Sequence, residues 1–184
     1  MSARRHWLTC CATLILFVCV TVTAQRPGTS EESVKAAFLY NFTKFVDWPD
    51  TAFAQPSAPF VVCAFADAGF RKALESILAN EQVRGRPVSI AAAGLEDIRS
   101  CHLAYLGPAD PERQARLLEA AKQAPVLTVG EGRRFLDQGG LIAFMLENDR
   151  VRFAISKRGA DAAGLNVSSK LLRVARGFDG RVQP

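Results

Sequence analysis

The sequence predicts an α/β domain, one mostly parallel sheet with helices on both faces and a C-terminal antiparallel hairpin. Three observations predict it. Short apolar runs of buried-strand type alternate with helical stretches from residue 60 to residue 136, the rhythm of βαβ units. The chain has 184 residues, the size of one domain with a full hydrophobic core. Apolar residues at 49% and charged residues at 22% are globular proportions, which exclude disorder and coiled coil.

Residues 1–24 read as a secretory signal peptide. Arg4 and Arg5 supply the basic end, residues 8–22 the apolar stretch, and Val22-Thr23-Ala24 a small-residue cleavage site, which places the cut before Gln25. The apolar run is about 15 residues, short of the roughly 20 that a membrane-crossing helix needs. A retained N-terminal anchor is the alternative. Nothing after residue 25 is long and apolar enough to span a bilayer, so the mature protein is expected to be exported. Arg4-Arg5 with Trp7-Leu8 leaves the export route open between general secretion and the twin-arginine path. Removing Arg4 and Arg5 from the 23 basic residues leaves 21 against 18 acidic ones, a net +3. Spread along the chain, that charge argues against nucleic acid as a partner.

Residues 25–29 read as a polar connection, 30–176 as the domain and 177–184 as a polar tail. The first element runs from residue 30 as a helix that Pro49 stops. Thr29 and Glu32 have capping-box spacing, and Glu31-Glu32 suits the positive helix end. Val34, Phe38, Phe42 and Phe45 fall on one stripe at 100° per residue, a core face. Asn41 lies beside that stripe and is expected to be buried with partners. Tyr40 falls on the opposite face, near Asp47. Strands are expected at 60–65, 87–92, 101–106 and 125–129, with helices at 68–80, 111–123 and 131–136. Residues 141–146 and 151–155 flank Glu147-Asn148-Asp149-Arg150, a polar turn that favours an antiparallel hairpin. A last helix covers 168–175, capped by Asn166 or Ser168.

Three of the five cysteines, Cys10, Cys11 and Cys19, lie in the leader. Cys63 and Cys101 remain, and in an oxidising compartment they form the one possible pair. Two separate buried thiols are the alternative. If the strand holding Cys63 is central, the strand at Cys101 lies beside it in a 2-1-3 order. Neighbouring strands are about 4.8 Å apart, within reach of a disulfide.

No catalytic set assembles from the sequence. His102 is the one histidine beyond the leader; it opens an apolar strand without a flanking acid, and a structural role is expected. Gly130-Glu131-Gly132-Arg133-Arg134 is the nearest approach to a phosphate loop. It lacks the Lys-Ser/Thr of a P-loop and the third glycine of the dinucleotide fingerprint. Asp67, at the carboxyl end of the first long strand, could meet a cation but has no acidic neighbours. Asp47, Glu96-Asp97 and Glu147 are isolated in the same way. The reading is a non-enzyme with no metal and no cofactor.

Several stretches resemble a known family. Val34-Lys35-Ala36-Ala37-Phe38-Leu39-Tyr40-Asn41-Phe42 with Phe45-Val46-Asp47-Trp48-Pro49 is similar to the opening signature of the YfiR family of periplasmic regulators. Cys101-His102 opening a strand, the run Pro125 to Gly130, Gly139-Gly140-Leu141-Ile142 and Arg152-Phe153-Ala154-Ile155 agree in order and spacing. Ala163-Gly164-Leu165 and Ser168-Ser169-Lys170-Leu171-Leu172 fit as well. The resemblance implies a periplasmic homodimer that binds the periplasmic sensor domain of an inner-membrane diguanylate cyclase and represses it, lowering cyclic di-GMP and biofilm formation. A membrane sensor kinase is the other partner class it implies. It also pairs Cys63 with Cys101. The second disulfide of the family, near the hairpin, has no counterpart between Leu141 and Ile155, so redox control through it is not implied. Ser156 stands where the family usually has Asn. Tyr40, off the core stripe, and Trp48, at the helix end, are the candidate partner-binding aromatics; for Trp48 a place in the core is the alternative. A periplasmic small-ligand-binding protein serving a sensor kinase or transporter is the competing function.

Overall fold

The computed structural model describes residues 30–91, 95–108, 110–178 and 181–182; the expected signal peptide lies outside them. Helix α1 (Glu31–Phe45) is capped by Ser30, whose hydroxyl accepts from the Ser33 N–H at 3.2 Å. The cap therefore sits on Ser30 rather than on Thr29, which lies outside the described residues. The helix ends before Pro49 is reached. Val46, β-branched and fully buried, turns extended and opens β1 (Val46–Asp47), which pairs antiparallel with β9 (Asn166–Val167).

The buried face of α1 differs from the expected stripe. Lys35, Ala36, Leu39, Phe42 and Thr43 are buried, whereas Asn41 is exposed and Phe45 is 36% exposed. The cause is that the helix packs on two sides, against helix α2 (Ala68–Leu78) and against the sheet, so its contact arc is wider than one apolar stripe and rotated from it. Phe38 still reaches the core: its ring lies 6.0 Å from Phe42 and 5.5 Å from Phe153, and Phe42 lies 5.0 Å from Phe153.

The sheet is built from β2 (Phe60–Phe65), β3 (Gln82–Val83), β4 (Arg86–Ala91), β5 (Leu103–Leu106), β6 (Leu127–Glu131), β7 (Ile142–Glu147) and β8 (Arg150–Ile155). Two short strands, β10 (Gly177–Phe178) and β11 (Arg181–Val182), complete it. Their order is β11-β10-β8-β7-β6-β5-β2-β4-β3. The segment expected as a polar tail thus supplies the far edge, with Phe178 opposite Ile155. Strands β4, β2, β5, β6 and β7 are mutually parallel, so the first long strand has the second on one side and the third on the other. That is the expected 2-1-3 winding, carried on to 2-1-3-4-5. The hairpin β7–β8 is antiparallel, as expected, and its two turn residues Asn148 and Asp149 have φ of 50° and 57°. Positive φ at both positions is the type I′ turn that matches strand twist.

Helices α3 (Pro111–Ala121), α4 (Arg133–Asp137), α5 (Lys157–Ala162) and α6 (Ser169–Val174) complete the elements. Period-2 alternation divides the core into two layers. Phe60, Val62 and Ala64 of β2 join Leu103 and Tyr105 of β5 on the face covered by α1, α2 and α6. Cys63 and Phe65 join Ala104 and Leu106 on the opposite face with Leu117 and Leu118 of α3 and Phe135 of α4. Both faces being covered explains why these strands read as continuous apolar runs. Helix α5 was not expected. It is capped by Ser156, whose hydroxyl accepts from the Gly159 N–H at 3.2 Å, so Ser does there the capping that an Asn could also supply.

Candidate functional site

In a doubly wound sheet the crevice lies beyond the carboxyl ends of the strands where the winding reverses. Here that point falls between β2 and β5, and a cleft of about 540 Å³ opens there. Its lining includes Glu31 and Lys35 from α1, Asp67 and Phe70 after β2, Tyr105 from β5 and Glu131 from the end of β6. Lys35 is the organising cation. Its Nζ lies 2.6 Å from Glu31 Oε1, one helical turn away, and 2.6 Å from Glu131 Oε1, ninety-six residues later in the chain. The Tyr105 hydroxyl donates to the same Glu131 oxygen at 2.5 Å. Tyr105 is fully buried and its ring stacks on Phe70 at 4.1 Å.

The protonation states follow from these contacts. Burial pulls the Lys35 ammonium down, but the hydrogen bonds and charges of Glu131 and Glu31 together overcome it and leave the group above its ordinary value. Burial, then the hydrogen bond to Glu131, pushes the Tyr105 phenol far above its ordinary value. Lys35 therefore stays charged and Tyr105 stays protonated, the opposite of what a nucleophilic lysine or a tyrosinate base needs. The Lys35–Glu131–Tyr105 group is a closed network that ties α1 to β5 and β6. Sequence reasoning missed it, although Glu31 and Lys35 stand at the i,i+4 spacing of a helical ion pair.

Asp67, His102 and the glycine-rich turn are also committed to structure. Asp67 caps α2, its Oδ1 accepting from the Phe70 N–H at 2.9 Å. His102 is buried, 6% exposed; its Nδ1 accepts from the Val61 N–H at 3.0 Å, which leaves Nε2 to donate to the Ala52 carbonyl at 3.1 Å. Its ring stacks between Phe53 and Phe60 at 4.4 and 5.0 Å. Desolvation holds it below the ordinary imidazole value despite the Ala52 bond, so it is neutral and structural. The glycine-rich turn serves packing. A Cβ on Gly130 or Gly140 would come within 2.4 or 2.1 Å of the Phe135 ring, so both glycines clear room for that side chain. The helix after Gly132 has only five residues and no side-chain cap.

Cys63 and Cys101 form a disulfide with a Cα–Cα distance of 5.9 Å. Asp47 pairs with Arg84 and accepts from Asn166 at 3.3 Å, and Glu147 accepts from Arg176 at 3.0 Å. The side chains of Glu96 and Asp97 lie outside the described residues. Tyr40 is half-buried: its hydroxyl donates to Glu81, and the Lys44 ammonium sits 3.9 Å above its ring. Trp48 is 8% exposed, packed edge-on against Phe60 at 4.8 Å. That is the place in the core given above as its alternative. Among the described residues, no group of three His, Cys, Asp or Glu side chains could hold a metal, and no helix is long and apolar enough to cross a membrane.

The class of protein is thus a doubly wound α/β domain in which Asp47, Asp67, His102, Glu131, Glu147 and the Cys63–Cys101 pair, the singled-out groups among the described residues, are engaged in capping, ion pairing, hydrogen bonding and cross-linking. The chain belongs to the YfiR/HmsC-like family, whose model matches residues 32–176. Members of that family are regulatory rather than catalytic, and the family is one of periplasmic regulators of diguanylate cyclase. Among solved structures, a conserved domain protein from Vibrio cholerae O1 biovar El Tor is 13% identical, with 65% of this chain and 55% of that chain covered and a TM-score of 0.49. An ABC domain from Streptococcus pneumoniae, in complex with L-Trp, is 12% identical, with 64% and 54% covered and a TM-score of 0.46. This chain spans about half the length of those two, and the likeness carries no functional argument.

Proposed function

We propose that the protein is exported to the periplasm as a homodimer, binds the periplasmic sensor domain of an inner-membrane diguanylate cyclase and represses it, so limiting cyclic di-GMP and biofilm formation. The observation that carries this reading is the family match across residues 32–176, with Glu131, His102 and Asp67 held in structural bonds. Repression by binding requires tighter binding to the inactive cyclase than to the active one, by a few kcal/mol for a firm switch. Deleting the gene is expected to raise cyclic di-GMP and surface attachment, and an exported copy to reverse both. Unchanged nucleotide levels would remove the cyclase and leave a sensor kinase partner or a ligand-binding role.

A second reading, a small-ligand receptor for a sensor kinase or transporter, draws on the cleft of about 540 Å³ at the winding reversal. Mass spectrometry of the protein purified under native conditions distinguishes the two: a stoichiometric small molecule supports the receptor.

A further inference from the structure

Residues 50–58 link the segment after α1 to β2, and their one regular element is a 3-10 turn, Asp50–Ala52. Two side chains fasten this strap to the sheet. His102 Nε2 donates to the Ala52 carbonyl at 3.1 Å, and Arg86 Nη1 donates to the Gln55 and Ala58 carbonyls at 3.2 and 2.9 Å. Phe53 lies between the two: its ring stacks on the imidazole at 4.4 Å, and the Arg86 guanidinium sits 3.8 Å from its centre. The rest of the strap is turned to solvent, with Thr51 and residues 54–57 exposed.

The imidazole is set so that a second proton does not fit. A main-chain N–H can only donate, so the 3.0 Å bond from the Val61 N–H requires a lone pair on Nδ1. Protonation turns Nδ1 into a donor aimed at a donor and leaves the Val61 N–H unmet. It also sets a cation beside Arg86, the charged group that acts on the ring. The other groups bonded to or packed on the residue do not titrate. They are Phe60 and Val61 of β2, Ala52 and Phe53 of the strap, Trp48 after α1 and Leu127 of β6. Asp50 is the strap's one acid, and it is exposed.

We infer that the strap is an acid-released clasp: a second proton on His102 drives the imidazole from its place against Phe60 and Val61, and Ala52 and Phe53 leave with it while the rest of the domain stays folded. Ring and strap move together because the Nε2–H bond to the Ala52 carbonyl survives protonation and gains from the charge. Arg86 keeps hold of the far half through Gln55 and Ala58, so the clasp opens from its Ala52 end. Burial holds the imidazole below its ordinary value, which keeps the clasp closed at neutral pH and opens it as the pH falls. The inference stands whichever partner the protein binds.

The test is amide NMR of the chain from Gln25 onward, titrated from about pH 7.5 to about pH 4.5. His102 is the one histidine in that chain, so its ring signal is unambiguous. The amides of residues 51–55 and of Val61 are expected to move with the same midpoint as the ring, below about pH 6.5. Those of Val129 and Phe144, in the middle of the sheet, are expected to stay. His102→Gln keeps a donor for Ala52 and His102→Asn keeps an acceptor for Val61, and neither titrates; both should hold the strap amides fixed across the range. Arg86→Met removes the like charge and two of the fastenings, so its midpoint should rise by about half a pH unit or more. A ring that titrates while the strap amides stay put would overturn the inference, because the proton is then accepted in place. Strap movement that persists in both His102 variants would do the same, since another group would be driving it. A ring that stays neutral until the whole domain unfolds also defeats it, leaving no pH at which the clasp is open and the fold intact. The wild-type titration decides even where a variant does not fold.

Discussion

The indole Nε1 of Trp48 donates to the main-chain carbonyl of His102 at 3.0 Å. The same carbonyl accepts from the Leu127 N–H at 2.8 Å, so both of its lone pairs are used. The segment leaving α1, the start of β5 and the start of β6 are thereby joined at one oxygen. The His102 ring fixes a fourth segment, because its two nitrogens bond Val61 and Ala52. This junction packs against Phe53 and Phe60 and lies at the end of the sheet opposite the cleft.

Because burial holds the folded imidazole of His102 below its unfolded value, the junction is expected to be acid-sensitive. Above about pH 6.5 the ring is neutral in both states and contributes no pH dependence. As the pH falls below that, the unfolded chain takes up a proton that the folded one refuses, and stability drops by up to about 1.4 kcal/mol per unit. Urea unfolding between pH 7.5 and about 5.5 measures the slope. His102→Asn keeps an acceptor for the Val61 N–H, and it should abolish most of the slope; an unchanged slope would contradict the assignment.

The Lys35–Glu131–Tyr105 network is expected to act in stability. Glu131→Ala leaves the buried Tyr105 hydroxyl without its acceptor and Lys35 with Glu31 alone, a cost of about 1–3 kcal/mol. Tyr105→Phe alone should cost about 1 kcal/mol. In the double variant the two costs should sum to less than their separate values, since the unmade hydroxyl is gone. Strict additivity in denaturant unfolding would show that the two side chains do not cooperate.

Thiol labelling of the native protein should find Cys63 and Cys101 protected until a reductant is added. Replacing either with Ala should lower stability by about 2–5 kcal/mol, the usual loss for a native disulfide in a small secreted domain. Two freely labelled thiols in the native, unreduced protein would contradict the bond.

The architecture was legible where a signal was local and repeated. Strand β2 falls on the run read at 60–65, and the two residues of the hairpin turn have the backbone that their Asn and Asp chemistry favours. The two-residue ladder of β1 with β9 was not legible, since two residues hold no period to read and their pairing joins Val46 to Val167 and Asp47 to Asn166 across most of the chain. The face of α1 was misread for a related reason. Lys35 looks like a surface residue until Glu131 arrives from the far end of β6 to neutralise it. Of the candidate aromatics, Trp48 lies buried because the His102 carbonyl and the Phe60 ring receive it, and neither neighbour is visible from Trp48-Pro49 alone. Arg152 stood in the sequence only as part of a family stretch.

The bond between Cys63 and Cys101, 38 positions apart, encloses α2, β3 and β4 in a covalent ring. A single proteolytic cut inside that ring opens the main chain yet releases nothing: the nicked molecule gains only the mass of one water and stays in one piece until it is reduced. Under tension the ring has a mechanical consequence. A load applied at the two ends passes from Cys63 to Cys101 through the sulfurs and bypasses the enclosed segment. At about 3.5 Å per residue, roughly 130 Å of contour stays hidden from any pull on the oxidised protein and appears only after reduction.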